Sequence, residues 1–69
     1  MNRIKEVLKE KGIKQTWLAK KIGKSYNMVN GYVQNRQQPR VELLYKIAEV
    51  LDVEVQKLLI KSKKNDDEK

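Results

Sequence analysis

A chain of 69 residues is one small domain, and with 39% hydrophobic and 36% charged residues it can build a core only if its apolar side chains share consistent faces. It contains no Cys and no His, which excludes disulfides, thiolate chemistry and the usual zinc ligand sets, and fits a reducing cytoplasm. A net charge of +7 points to an anionic partner such as nucleic acid.

The charge is uneven. Residues 1–24 carry Arg3, Lys5, Lys9, Lys11, Lys14, Lys20, Lys21 and Lys24 against Glu6 and Glu10, and the remainder is close to balanced. A basic half suits phosphate neutralisation, although lysines also simply solvate a helix face. No apolar run approaches the roughly 18 residues of a membrane span. The N-terminus is amphipathic and carries acids, unlike a signal or transit peptide. Without a Ser–His or Cys–His pair, and with its acids scattered, the chain offers no catalytic residue, and no metal or cofactor is expected.

Asn2 can cap a first helix over about Arg3–Lys11, in which Ile4, Val7 and Leu8 share a face and Gly12 ends the run. A second helix spans roughly Gln15–Ile22, with Leu18, Ala19 and Ile22 on one side and Lys14 as a poor cap. Gly23 suits a left-handed exit, and Ser25 can cap a third helix over about Tyr26–Val33, packed through Val29, Tyr32 and Val33. A helix, a short turn containing Gly and a second helix form a helix-turn-helix, here between the second and third helices. Tyr26, Asn27, Asn30 and Gly31 are then the side of the third helix that does not face the core. Two asparagines one turn apart suit adenine edges.

Gly31 inside a helix costs about 1 kcal/mol relative to Ala. It either lets the helix approach a groove floor closely or marks the helix end. Trp17 lies outside the second helix's apolar stripe. It is expected to bury against the first helix or a loop, with contact to DNA or a protein partner as the alternative. The loop Gln34–Arg40 holds the only proline, and its Asn35 tolerates a left-handed turn. Val41, Leu44, Ile47, Ala48 and Leu51 define a fourth, core-facing helix. A short fifth helix is expected over about Glu54–Ile60, packing through Val55, Leu58 and Leu59 and leaving Ile60 as a possible partner seam. Residues 62–69 form a charged tail expected to be disordered, so the domain proper is 1–61.

Together these residues resemble a known family. Gln15, Leu18-Ala19, Gly23, Ser25, Val29, Tyr32, Pro39, the Leu44–Leu51 helix, Val53 and Leu58-Leu59 are similar to the lambda-repressor-like (Cro-type) helix-turn-helix regulators. The resemblance covers about two-thirds of the chain, from Ile13 to Leu59. It departs from the family at Lys14, Trp17 and Lys24, where a hydroxyl cap, an acid and a branched aliphatic residue are usual. It implies an all-α bundle of five short helices whose third helix enters the major groove. Tyr26, Asn27, Asn30 and Gly31 would face bases, and Gln15, Ser25, Asn35, Arg36 and Arg40 the DNA backbone. It further implies a homodimer on a palindromic operator and a role as a transcriptional regulator, most simply a repressor. The alternative is an antitoxin or adaptor of the same fold, using Trp17 and Ile60 against another protein.

Overall fold

In the computed structural model, which describes residues 1–59, four α-helices are followed by one 3₁₀ turn: α1 Ile4–Lys11, α2 Gln15–Ile22, α3 Tyr26–Val33, α4 Val41–Leu51 and the turn Val55–Leu58. Ile60 and the tail, with the partner seam and the disorder expected there, lie outside the described residues.

The α-helices leave through one recurring turn. Gly12 and Gly23 (φ 68° and 70°) and the non-glycine Asn35 and Asp52 (φ 61° and 59°) take the left-handed conformation. The N–H of the next residue then reaches the carbonyl five positions back: Ile13 to Leu8 (2.9 Å), Lys24 to Ala19 (3.0 Å), Arg36 to Gly31 (2.9 Å) and Val53 to Ala48 (3.0 Å). This closure satisfies carbonyls that a helix end otherwise leaves open.

The helix N-termini are less uniform. Ser25 Oγ accepts from Met28 N–H at 3.1 Å and caps α3. Lys14 and Arg40 offer no side-chain cap to α2 and α4. Asn2 caps from one residue further out than expected: α1 begins at Ile4, and Asn2 Oδ1 accepts the Ile4 N–H at 3.0 Å.

The helices converge on one core. Ile4, Val7 and Leu8 of α1, Leu18, Ala19 and Ile22 of α2, Val29, Tyr32 and Val33 of α3, Ile47, Ala48 and Leu51 of α4, and Leu58 are all buried. α2 packs on both α3 and α4, and the closing turn packs on α1 and α4. Ile13 and Val53, each just past a left-handed residue, pack half-buried against that core.

Three expectations are corrected. The fifth helix is a single 3₁₀ turn. Leu59 departs from it extended, is 41% exposed, and forms an isolated antiparallel bridge with Asn2 while Arg3 N–H bonds Leu58 O at 2.7 Å. Closing the domain onto its own N-terminus uses the backbone that another helical turn would need. Val41 is 64% exposed and Leu44 only half-buried, although the periodicity places both on the core side. Periodicity defines a face but not how far along it the neighbouring elements reach. Lastly, Gly31 is buried.

Candidate nucleic-acid interface

The α2–turn–α3 unit is set by sequence-local chemistry. Gly23 provides the left-handed exit that a Cβ would strain, Lys24 N–H closes the turn, and Ser25 starts the next helix. Val29, Tyr32 and Val33 anchor α3 in the core, so its first turn projects Tyr26 (48% exposed), Asn27 and Met28 into solvent. Ser25 Oγ serves as acceptor for the cap, and its own O–H stays available to donate outward.

Gly31 does not belong to that exposed face. A Cβ there would meet Gln37 Nε2 at 3.2 Å, and the Gly31 carbonyl accepts from both Arg36 N–H and Gln37 N–H. The glycine seats the loop after α3, two residues before the helix ends, and its burial corrects its expected place on the exposed side of α3.

That loop is tied to the N-terminus by carboxamides. Asn2 is 3% exposed. Its backbone N–H donates to Asn35 Oδ1 (2.8 Å), and Asn35 Nδ2 donates back to the Asn2 carbonyl (3.1 Å). Asn2 Nδ2 donates to Tyr32 O and to Gln38 Oε1, each at 3.0 Å, and Gln38 Nε2 returns to Asn35 Oδ1 at 3.0 Å. The Asn35 side chain, expected against a DNA phosphate, is therefore turned inward. It fixes the loop that carries Arg36. Sequence reasoning saw Asn2 only as a cap. Its partners in the loop and at the end of α3 lie 30 to 36 positions away, and no local pattern marks them.

A second polar chain crosses the face between α2 and α3. Arg36 Nη2 donates to Asn30 Oδ1 at 2.7 Å, and Asn30 Nδ2 donates to Gln15 Oε1 at 3.0 Å. Gln15 at the start of α2, Asn30 on α3 and Arg36 in the loop are thus brought together. Tyr26 lies one turn before Asn30 and borders a groove of about 360 Å³ with Lys5, Lys14, Gln15 and Thr16. That groove opens beside the N-terminus of α2, whose first N–H groups have no side-chain cap. Uncapped helical N–H groups favour an anion. Arg40, exposed at the start of α4, sits apart, beside Lys24, Met28 and Gln37.

The electrostatics follow from the sequence between Glu10 and Glu42. Lys11, Lys14, Lys20, Lys21, Lys24, Arg36 and Arg40 lie there, with no acidic residue among them. The acid-free region therefore spans α2, α3 and the following loop, with its cations on either side of an uncharged α3. This acid-free window is a signal the sequence already carried.

Trp17 is not buried as expected. It is 41% exposed, with Lys21 Nζ 5.4 Å from the ring centroid, and it borders a shallow pocket with Gly12, Ile13 and Lys14. A cation over an exposed indole contributes about 0.5–1 kcal/mol. Among the described residues no cluster of acidic side chains could hold a metal ion, and no helix is long and apolar enough to cross a membrane.

Residues 4–58 match the family model described as Helix-turn-helix. Among solved structures, a Bacteroides fragilis protein described as a "putative DNA-binding protein" is 43% identical, with a TM-score of 0.83 over 84% of this chain and 94% of that one. The N-terminal DNA-binding domain of SinR from Bacillus subtilis is 36% identical, with a TM-score of 0.72 over 90% of this chain and 91% of that one. No curated protein sequence matches the chain.

Proposed function

Because the chain belongs to the lambda-repressor-like (Cro/C1-type) helix-turn-helix family, we propose that it binds double-stranded DNA sequence-specifically and acts as a small transcriptional regulator, most simply a repressor. The observation that carries this reading is one continuous surface. The N-terminus of α2, the exposed first turn of α3 and the loop after α3 lie side by side within an acid-free, basic stretch. α3 enters the major groove, with Tyr26 and Asn27 toward base edges. Gln15, Ser25, Arg36 and Arg40 hold phosphates, while Asn35 positions the loop from beneath. The two structural relatives, both described as DNA-binding, support the same assignment.

A single domain of this size reads only a few base pairs, so the functional species is a homodimer on a palindrome with half-sites one helical turn, about 34 Å, apart. Selection from a randomised duplex pool at near-physiological salt, followed by a salt titration on the selected duplex, tests this. The expected result is a palindromic consensus, with log K falling against log salt at a slope of roughly −0.9 per phosphate neutralised. Asn27→Ala is expected to relax one position of that consensus while non-specific binding persists. Weak binding with no consensus would overturn the reading. It would favour an antitoxin or adaptor instead, in which the half-exposed Trp17 and its neighbouring pocket meet another protein.

A further inference from the structure

By sequence alone Asn27 and Asn30 are equally suited to adenine edges. Resting on the DNA-binding reading above, we infer that they have different tasks. Asn30 is a positioning residue that aims Arg36 and Gln15, and this cluster contacts hydrogen-bond acceptors, not adenine.

A guanidinium has only N–H donors, so the Asn30 atom 2.7 Å from Arg36 Nη2 must be its oxygen. That fixes the carboxamide orientation and puts Nδ2 toward Gln15 at 3.0 Å. Nδ2 only donates, so the Gln15 atom it meets must be Oε1, which turns Gln15 Nε2 away from Asn30. One guanidinium therefore sets the orientation of two amides in series. The groups left at the outer ends of the chain are the remaining Arg36 N–H groups and Gln15 Nε2, which are donors, beside the second lone pair of Gln15 Oε1.

Adenine in the major groove presents a donor (N6–H₂) beside an acceptor (N7). A bidentate Asn contact must offer both its oxygen and its nitrogen to the base. Asn30 directs one bond from each amide atom sideways, Oδ1 to Arg36 and Nδ2 to Gln15, so its carboxamide is not free to turn, and an adenine contact would have to use its second N–H and second lone pair at that fixed orientation. The donors at the outer edge instead match adjacent acceptors: N7 and O6 of guanine, or phosphate oxygens. Asn27 is exposed, and neither of its amide atoms has a protein partner among the described residues. Its carboxamide is free to turn toward an adenine edge, whereas that of Asn30 is held in place by two neighbours.

The test compares wild type, Asn30→Ala, Arg36→Ala and the double variant on the duplex selected by the wild-type chain, after thermal unfolding confirms that each variant folds. The selection is repeated with Asn30→Ala. Asn30→Ala and Arg36→Ala are each expected to lose roughly 10- to 100-fold in affinity. The double variant is expected to lose little more than Arg36→Ala alone, because groups acting as one unit do not add. No adenine preference should disappear from the Asn30→Ala consensus.

Two modified duplexes separate the sources of the acceptor. If 7-deazaguanine at one position removes the difference between wild type and Asn30→Ala, the acceptor is a guanine edge. If a methylphosphonate linkage removes it, the acceptor is a phosphate. Loss of an adenine preference in Asn30→Ala, or losses that multiply in the double variant, would overturn the positioning role while leaving DNA binding intact. A wild-type chain that selects no duplex would overturn both readings.

Discussion

The ends of α3 and α4 share a backbone and differ in everything attached to it. Both close through a non-glycine left-handed residue, Asn35 or Asp52, and both bond an N–H to the carbonyl five positions back, on Gly31 or Ala48. After α4 the next residue is Val53, which packs on the core. After α3 it is Arg36, which turns outward and meets Asn30. The turn after α2 follows α3, with exposed Lys24, and the turn after α1 follows α4, with half-buried Ile13. The two turns that bracket α3 thus present cations, and the other two present apolar side chains to the interior. One way of ending a helix serves the core in one pair and the proposed interface in the other. The residue after the left-handed position decides which.

The caps themselves differ as much. Asn35 has its whole carboxamide engaged by Asn2 and Gln38. Asp52 makes no side-chain hydrogen bond among the described residues, and its carboxylate sits at the C-terminus of α4, where the helix dipole disfavours negative charge. The sharpest way to break the contrast is Asn2→Ala. It removes the acceptor of the buried Ile4 N–H and both donations from Asn2 Nδ2. An orphaned buried donor and lost internal bonds together should destabilise the fold by about 2–4 kcal/mol. In urea the midpoint is expected to fall with little change in slope. An unchanged midpoint would show that the loop after α3 does not depend on the N-terminus.

Asn35→Gly comes next. Glycine keeps the left-handed backbone without strain, so the variant isolates the side chain. Losing three hydrogen bonds, partly offset by relief at φ 61°, should destabilise by about 1–2 kcal/mol. DNA affinity should drop as Arg36 loses its fixed loop. The equivalent change at the other turn should have the opposite sign. Asp52→Gly relieves both the left-handed conformation and the misplaced charge, and should stabilise by about 0.5–1 kcal/mol. Asp52→Asn separates the two contributions, because only the charge part should fade in a salt titration. If Asn35→Gly raises the midpoint as Asp52→Gly is expected to, the Asn2–Asn35 clamp is energetically idle.

Most of the scaffold was legible because it is local. The four α-helices, the left-handed exits at Gly12, Gly23 and Asn35, and the Ser25 cap each follow from a few adjacent residues. What was not legible depended on partners distant in sequence. Asn2 could be read as a cap but not as the anchor of a loop that begins after α3. Leu58 and Leu59 looked like one helical face until closure onto Asn2 and Arg3 sent Leu59 outward. At the candidate site, Tyr26 and Asn27 are exposed as their positions on α3 suggest. The linking of Asn30 to Gln15 and Arg36 needs three separate elements in place before it exists.

Gly31→Ala is the smallest expected effect, and it tests whether the two turns are interchangeable at their common acceptor. Ala48 already occupies the matching position in α4 and is buried without difficulty. Replacing an interior glycine by Ala contributes about 1 kcal/mol of helix propensity. Against that, the new methyl meets Gln37 Nε2 at 3.2 Å. Gln37 is exposed and flexible, and its amide can move a few tenths of an ångström without disturbing the backbone bonds from Arg36 and Gln37 to the Gly31 carbonyl. The net result should be a stabilisation of about 0.5 kcal/mol, seen as a small rise in the urea midpoint, with DNA affinity unchanged. A fall in stability would mean that the loop after α3 requires Gln37 where it is. A fall in DNA affinity at unchanged stability would restore the close approach of α3 to a groove floor that the burial of Gly31 argues against.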